Sequence, residues 1–254
     1  AAAYKHVNLV EHNIKSAIIN NIITTFTLCS LANQYKAKKF TFISSDKAVK
    51  PTNVMGATKR ISEKIVYYFS INSNTIFSTV RFGNVINSSG SVIPIFKNQI
   101  KNNQLITVTH KDIERYFMTI SEAVSLVIES CTLSKGGETF FLNMGNRIKI
   151  YDLAIKMLKI ANQFNSSTII KDFDKKIQIT GLNKGEKLYE ELSINDNISQ
   201  SENIRIFIDN CNDRLKKIEP EEFISDFVKN LNVGNLDNLI LLLEKYVENY
   251  KYQN

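Results

Sequence analysis

Three neighbouring side chains, Ser45, Asp46 and Lys47, have the chemistry that proton transfer to and from a bound ligand requires. They supply a hydroxyl, a carboxylate and an amine, and a second amine, Lys59, follows one helical turn after Met55. A general acid and a general base on adjacent residues suit proton chemistry when both project from the carboxyl end of a strand. The simpler interpretation of an Asp-Lys pair is a solvated turn, and the surrounding residues argue against it.

The sequence places these residues between a strand and a helix. Residues 40–43 form a short apolar run typical of a buried strand, and the helix start Gly56-Ala57-Thr58-Lys59 follows the polar turn. Residues 59–70 then carry apolar side chains at helical spacing, as does the long segment 14–35 before the strand. We therefore expect the three polar residues in a loop that leads from a strand into a helix.

The remaining segments alternate between strand and helix periodicity. We predict further strands at 75–82, 105–109, 139–144, 168–171 and 176–180, and further helices at 92–100, 121–133, 151–161, 221–231 and 236–250. Ser121 is the predicted N-cap of its helix. Strands that alternate with helices indicate an α/β fold with a Rossmann-like, doubly wound parallel sheet. Such a sheet binds ligands at the carboxyl ends of its strands, where we expect the loops after residues 43 and 82.

One part of a dinucleotide fold is missing from the sequence. No Gly-x-Gly-x-x-Gly motif opens a helix after a first strand, so we expect the phosphate-binding first half to precede residue 1. Residues 1–90 would then form the second half of the dinucleotide-binding domain. Residues 91–192 would form a smaller α/β substrate-binding part interleaved with the last sheet strands, and 193–254 a divergent helical tail.

Composition argues against several other classes of protein. Cys29, Cys131 and Cys211 are too few and too scattered for a disulfide framework or a zinc site, and the three histidines have no metal-ligand spacing. The net charge of +7 does not favour nucleic-acid binding, because the lysines are spread along the chain among acidic residues. No apolar stretch is expected to reach the ~20 residues of a membrane span. We expect a cytoplasmic protein, with the cytoplasmic face of a membrane as the alternative for the full-length protein.

Six segments, in order along the chain, carry a resemblance to a known family. They are AAAYKHVNLVE, FISSDKAVKPTNVMGATKR, VRFGNVINSSGSVIPIFKNQI, DIERYFMTISEAVSLV, GGETFFLNMG and GLNKGEKLYEEL. Together they resemble the nucleotide-sugar 4,6-dehydratases of polysaccharide biosynthesis, in the extended short-chain dehydrogenase/reductase superfamily. The likeness is greatest to the large, often membrane-anchored branch that acts on UDP-N-acetylglucosamine, and it is weak after residue 192.

The resemblance implies a specific chemistry. In this family a bound NAD or NADP takes a hydride from C4 of the sugar, a base removes the C5 proton, an acid protonates the departing C6 hydroxyl, and the hydride returns at C6. By resemblance, Asp46 is the acid and Lys47 the base, which must lose its proton near neutral pH. Ser45 would contact the sugar near C4, and Lys59 would hold the nicotinamide ribose.

The resemblance also assigns binding residues. The cofactor residues that it implies are Ala1, Ala2, Lys5, Lys59, Phe82 and Val85. The residues that it implies for the UDP-sugar are Asn84, Ser91, Val92, Arg115 and Glu186. From the residues alone, Arg115 could equally be a surface charge on a strand, and Glu186 a solvated position at a helix start.

Three positions depart from the family pattern. Met55 stands where most of the superfamily has the Tyr that takes the C4 hydroxyl proton, and a thioether cannot accept that proton. We interpret Met55 as a marker of the membrane-anchored branch, with the proton passing through Ser45, Lys59 or water. The pair Asn183-Lys184 replaces an Arg-Pro, and Thr24-Thr25 replaces a Gly-Thr.

The implied partners are a UDP-sugar and further copies of the chain in a homo-oligomer, with no nucleic acid and no bound metal, and the sequence leaves open whether a membrane anchor lies upstream. The leading hypothesis is a UDP-N-acetylglucosamine 4,6-dehydratase of surface polysaccharide synthesis, such as capsule or lipopolysaccharide. One alternative is a nucleotide-sugar epimerase or reductase, although a plain C4 epimerase needs no acid-base pair for water loss. Another is a non-catalytic nucleotide-sugar-binding module. The choice of NAD or NADP and the stereochemistry at C5 stay open.

Overall fold

The computed structural model describes residues 2–164, 172–193, 197–210 and 219–252. The chain divides into two compact units. The first combines Ala1–Phe82, Val124–Asn143 and Glu191–Asn254, and the second combines Gly83–Ala123 and Met144–Glu190. This division does not follow the predicted ranges 1–90, 91–192 and 193–254, because both units are assembled from separate stretches of chain.

The helices and strands alternate along most of the chain. The α-helices are α1 (Val7–Glu11), α2 (Ile14–Ala17), α3 (Thr24–Gln34), α4 (Val54–Asn72), α5 (Val92–Lys101), α6 (Ile120–Leu133), α7 (Ile150–Phe164), α8 (Pro220–Val233) and α9 (Leu236–Tyr246). The strands are β1 (Lys39–Ile43), β2 (Ile76–Arg81), β3 (Asn84–Val85), β4 (Ile106–Val108), β5 (Glu114–Arg115), β6 (Phe117–Met118), β7 (Thr139–Leu142), β8 (Ile148–Lys149), β9 (Ile177–Ile179), β10 (Ile198–Gln200) and β11 (Ile206–Asp209).

A mixed sheet forms the centre of the first unit. Among the described residues it has five strands in the order β1-β2-β7-β11-β10. The first three strands run parallel, and β11 and β10 are antiparallel to their neighbours. This confirms the predicted α/β class. The predicted helical tail contributes two of these strands, which were missed because short apolar runs such as 206–209 have no decisive periodicity.

The segment predicted as one helix over 14–35 ends at Gln34 and contains an irregular turn. Between α2 and α3 the backbone is a π-helix, Ile18–Ile23. Helix Ile14–Gln34 is, by length and composition alone, the one helix within the described ranges that could cross a membrane, which the sequence analysis did not expect. Because Ile18 and Ile22 are fully buried in the core, and core helices pass the same test, it is weak evidence for a membrane span.

Helix α4 begins earlier and is buried more completely than its periodicity predicts. Its N-cap is Asn53, whose Oδ1 accepts a hydrogen bond from the Gly56 amide at 2.8 Å. Fifteen of its residues are buried, including charged ones, so the prediction of a single apolar side was too narrow. Charged residues are tolerated inside because they pair with one another, as described below.

Helix α6 is capped by a different residue from the predicted one. The Thr119 hydroxyl accepts from the Glu122 amide at 3.2 Å, and Glu122 Oε2 accepts from the Thr119 amide at 2.9 Å. This reciprocal pair is a capping box. Ser121 therefore lies within the first turn, and its prediction as the N-cap was wrong by two residues.

The last part of the chain packs into the core of the first unit. Phe223 and Phe227 of α8 and Leu239 and Leu243 of α9 share one buried cluster with residues of α1, α2 and α4. In the same region the Lys64 amine donates to the Tyr246 carbonyl at 2.9 Å and to Glu248 at 2.6 Å. Helix α9 ends at Tyr246, four residues before its predicted end.

The second unit is built from short strand pairs and two longer helices. Its pairs within the described ranges are β3 with β6, β4 with β9, and β5 with β8. Helices α5 and α7 pack on β4 through a small apolar core that includes Phe96, Ile106 and Leu158. The strand predicted at 176–180 is β9, whereas the one predicted at 168–171 lies outside the described residues.

Candidate active site

The three polar residues after β1 form a hydrogen-bonded cluster centred on one carboxylate oxygen. Ser45 Oγ donates to Asp46 Oδ1 at 2.8 Å, and Lys47 Nζ donates to the same oxygen at 3.0 Å. Asp46 is 1% exposed, and its second oxygen, Oδ2, is buried without a hydrogen-bond partner among the described residues. One oxygen of the carboxylate is therefore held in place, and the other has no bond within the described part of the chain.

The backbone holds this cluster at the carboxyl edge of the parallel strands. Residues Asp46–Ala48 form a short 3-10 helix whose N-cap is Ser45, with the Lys47 amide donating to Ser45 Oγ at 3.3 Å. The Asp46 amide donates to the Phe82 carbonyl at 3.2 Å, directly after β2. The loops after residues 43 and 82 therefore meet, as the sequence predicted.

Helix α4 approaches the cluster closely because it has a glycine in its first turn. A Cβ atom added to Gly56 would lie 2.2 Å from the Lys47 carbonyl oxygen, which is far inside van der Waals contact. Glycine is therefore required for this packing and not for an unusual backbone angle.

Lys59 reaches back from α4 to the end of β1. Its Nζ donates to the Ile43 carbonyl at 2.8 Å and lies 4.5 Å from the centre of the Phe42 ring. Burial lowers the pKa of Lys59 to about 8, although the negative charge of Glu63 opposes the shift. Lys59 can therefore change its protonation state close to neutral pH.

The amino-terminal segment lies near the cluster. Partial burial and then the positive charge of Lys47 lower the pKa of Lys5. Asn21 accepts from the Tyr4 amide at 2.9 Å and donates to Thr58 of α4 at 3.0 Å, which ties this segment to the helix. Residues 2–6, including Ala2 and Lys5, line an open groove of about 720 Å³ together with α1 and α2. Ala1, the remaining predicted residue of this segment, lies outside the described residues.

The second unit contains the residues predicted to bind the sugar nucleotide. Asn84 and Val85 form β3, which pairs in register with Phe117 and Met118 of β6. Ser91 is the N-cap of α5, with a buried hydroxyl that has no hydrogen-bond partner, and Val92 is the first residue of that helix.

Two of these predicted residues form an ion pair. Arg115 is 8% exposed and donates from Nη2 to Glu186 at 3.2 Å and from Nη1 to the Leu188 carbonyl at 3.1 Å. Glu186 also accepts from Thr109 at 3.2 Å and from the Asn183 side chain at 2.9 Å. Arg115 is therefore not a surface charge, and Glu186 is not a solvated residue. Asn183, where the family has Arg, binds this carboxylate.

Comparisons with known proteins identify the family. A family model described as "Polysaccharide biosynthesis protein" matches residues 1–210. The chain belongs to this polysaccharide biosynthesis family. It is 43% identical to the capsular polysaccharide biosynthesis protein CapD of Staphylococcus aureus, over 93% of this chain and 38% of CapD. It is 48% identical to the probable polysaccharide biosynthesis protein EpsC of Bacillus subtilis, over 80% of this chain and 33% of EpsC. The chain thus spans about a third of the length of these relatives.

Further proteins similar to this chain include nucleotide-sugar enzymes. A UDP-glucose 4-epimerase of Rickettsia bellii is 31% identical over 99% of this chain and 75% of the epimerase. Among solved structures, Pen from Bacillus thuringiensis is 39% identical with a TM-score of 0.71, over 82% of this chain and 64% of Pen. The dTDP-glucose 4,6-dehydratase DesIV of Streptomyces venezuelae, solved with NAD and TYD bound, shares the fold with a TM-score of 0.65 at 14% identity, over 76% and 62% of the two chains.

Sequence reasoning missed three residues that the structure connects to the cluster. They are Ser44, Gly56 and Glu63, the last of which binds Ser44 at 2.6 Å. For two of them, the sequence contains a feature that could have indicated their role. Gly56 is a glycine inside a helix, which indicates close packing, and Glu63 lies four residues after Lys59 on the same helix face.

Proposed function

We propose that this chain carries the acid-base residues of an NAD(P)-dependent dehydratase. The substrate would be a UDP-N-acetylhexosamine, and the product a 4-keto-6-deoxy sugar nucleotide used for surface polysaccharide or glycan synthesis. One observation carries the proposal: Asp46 has one oxygen bound by Ser45 and Lys47, and a second that is buried and has no partner in the part of the chain that the structure describes. Loss of water needs an acid and a base beside one hexose.

The described residues fit one end of the cofactor. Lys59 is a buried amine whose only hydrogen bond to the described residues goes to the Ile43 carbonyl, so it has further donors for a ribose hydroxyl. The residues proposed to line the cofactor with it are Ala1, Ala2, Lys5, Phe82 and Val85. When bound, NAD(P) accepts a hydride from the sugar and returns it.

The contact between Lys47 and Asp46 supports the assignment of both roles. If Lys47 gives up one proton and Asp46 carries one on Oδ2, the oxygen outside the 3.0 Å contact with Lys47, the ion pair becomes a neutral amine and a carboxylic acid. The amine can then remove the C5 proton, and the acid can protonate the departing C6 oxygen. The C5–H and C6–O bonds break, a C5–C6 double bond forms, and water leaves.

Met55 cannot take part in the first proton transfer. It is 2% exposed and packs in the apolar core, and its thioether accepts no proton. The C4 hydroxyl proton would therefore pass to Ser45, Lys59 or water. With a pKa near 8, Lys59 is able to exchange a proton at neutral pH.

A nucleotide-sugar C4 epimerase is the second candidate, because the chain is 31% identical to the Rickettsia bellii UDP-glucose 4-epimerase along 99% of its length. Epimerisation does not require Asp46 and Lys47 as an acid-base pair.

We also propose that the UDP-sugar is bound by Asn84, Ser91, Val92, Arg115 and Glu186. The homo-oligomer, the membrane anchor and the cytoplasmic location stay predictions.

Mass spectrometry of the reaction products tests the proposed function. The full-length protein is incubated with UDP-N-acetylglucosamine and NAD or NADP, and we expect a product lighter by one water. The variants Asp46→Asn and Lys47→Ala should abolish water loss while still binding the UDP-sugar, because they remove the acid or the base but no proposed binding contact.

Lys50→Ala provides the matched control for these variants. Lys50 lies three residues beyond Lys47 but is 56% exposed and pairs with Glu191, so its loss should leave turnover unchanged. Full turnover in both the Asp46 and the Lys47 variants would contradict the acid-base assignment. A product of unchanged mass with inverted C4 would establish the epimerase instead.

A further inference from the structure

A network of four buried charges lies directly behind the proposed catalytic loop. Glu63 accepts from Arg81 at 2.7 and 2.8 Å, from Arg60 at 3.0 Å and from Ser44 Oγ at 2.6 Å. Arg81 also donates to Asp209 at 2.7 Å. Each of the four charged side chains is at most 4% exposed.

Stability alone does not explain why these charges are buried here. Burial by itself raises the pKa of Glu63, but the charges and hydrogen bonds of Arg81 and Arg60 outweigh it and hold the pKa at about 2. Glu63 is therefore an anion at any pH where the enzyme works. A buried ion network of this kind is often no more stabilising than well-packed apolar side chains.

Glu63 is connected to both halves of the proposed chemistry. Through its hydrogen bond it holds Ser44, the residue between the end of β1 and the loop that carries Ser45, Asp46 and Lys47. On α4 it lies one turn after Lys59, and its charge is the one that acts against the effect of burial on that amine. The shift in the pKa of Lys59 is attributed to burial and to the charge of Glu63, and not to Arg60, Arg81 or Asp209, which pair within the network.

We propose that Glu63 is a positioning residue of this site, which orients the catalytic loop through Ser44 and stabilises the cationic form of Lys59. The inference rests on the proposed function for the catalytic role of the loop, but the effect of Glu63 on Lys59 is measurable without turnover. The other charged groups around it include Arg60 and Lys64 on α4, Arg81 on β2, Asp209 on β11, Asp46 and Lys47 on the 3-10 helix, Lys5 before α1, Glu11 on α1 and Glu248 after α9.

The variant Glu63→Gln tests the electrostatic effect, and Asp209→Asn is its matched control. Each removes one negative charge that Arg81 binds, so both disturb the same network, but Asp209 neither contacts Ser44 nor acts on Lys59. Lysine labelled with ¹³C at Cε lets the titration of Lys59 be followed by NMR in the full-length protein. We expect its midpoint to fall by about one pH unit or more in Glu63→Gln and to stay near the wild-type value in Asp209→Asn.

The variant Ser44→Ala tests the positioning effect without changing any charge. We expect roughly a tenfold loss of kcat with the Lys59 midpoint near its wild-type value, and Ser44→Thr, which keeps the hydroxyl, should recover most of the activity. These two Ser44 variants still test the positioning effect if Glu63→Gln does not fold.

The outcomes separate this inference from the proposed function. Equal Lys59 midpoints in wild type and Glu63→Gln, or equal shifts in Glu63→Gln and Asp209→Asn, would overturn the electrostatic part. Full kcat in Ser44→Ala would overturn the positioning part. If Lys59 shifts as expected but the wild type releases no water from any UDP-N-acetylhexosamine, the proposed function fails and the link between Glu63 and Lys59 stands.

Discussion

At the scale of one residue, burial lowers the pKa of Lys59 and so changes the pH at which this amine loses its charge. Its pKa falls from 10.5 to about 8 because the charged amine is largely removed from water. Between these two values the unfolded chain binds more protons than the folded one, so the contribution of Lys59 to stability rises as the pH rises through that window. Below pH 8 the folded protein carries the full cost of a buried cation.

The binding of NAD(P) should therefore depend on pH near 8. If cationic Lys59 holds the cofactor ribose, the affinity for NAD(P) will decrease as the pH rises through about 8, where the amine loses its charge. The measurement is the Kd for the cofactor on either side of that pH. In Lys59→Arg, which stays charged throughout, the pH dependence should vanish. An unchanged wild-type Kd across the window would contradict the role assigned to Lys59.

At the scale of elements, the contact between α4 and the 3-10 helix Asp46–Ala48 sets the geometry of the site. Glycine within a helix is less stable than alanine by about 1 kcal/mol, so its presence at residue 56 needs a reason. The reason is the Lys47 carbonyl oxygen, 2.2 Å from where a Cβ would lie. Because that oxygen belongs to backbone, it cannot rotate away as a side chain would.

Gly56→Ala should damage both stability and activity despite the better helix propensity of alanine. The added methyl group must displace the backbone of Lys47 or the start of α4, and we expect a loss of about 100-fold in kcat. Steady-state kinetics and urea unfolding provide the measurements. Ala57→Gly is the control, because it weakens the same helix turn by about 1 kcal/mol and adds no atom near Lys47. A Gly56→Ala protein that is more stable and fully active would refute the argument.

At the scale of the whole molecule, the first unit brings the two ends of the chain together. Its core joins Val10 and Ile14 from the start of the chain with Phe227 and Leu243 from the end. The helices α8 and α9 are therefore part of the core that supports α4, even though they were predicted as a divergent tail. Changes near the carboxyl end should affect the stability of the unit that carries Asp46.

Phe227→Ala and Val228→Ala test this arrangement on adjacent residues of α8. Phe227 is fully buried, and its truncation should lower the free energy of unfolding by about 3–5 kcal/mol. Val228 is 39% exposed, and its truncation should cost less than about 1 kcal/mol. Denaturant unfolding of the full-length protein measures both. Equally small effects would show that α8 does not belong to the cooperative core.

The sequence by itself determined the elements around the site. The apolar run before Ser45, the helical spacing after Lys59 and the β-forming run at 75–82 were sufficient to predict β1, α4 and β2, and with them the meeting of two loops at one sheet edge. These features are local, because backbone geometry imposes a side-chain period of two on a strand and 3.6 on a helix.

Only the tertiary structure decided which side chains meet. Arg81 and Asp209 are 128 residues apart, and Arg115 and Glu186 are 71 apart, yet both pairs are ionic contacts in largely dry surroundings. The strand β11 was missed partly for the same reason, since it pairs with β7, more than 60 residues earlier in the sequence. The energy of such a contact depends on burial and on a partner's position, and neither quantity is a property of the residue's neighbours along the chain.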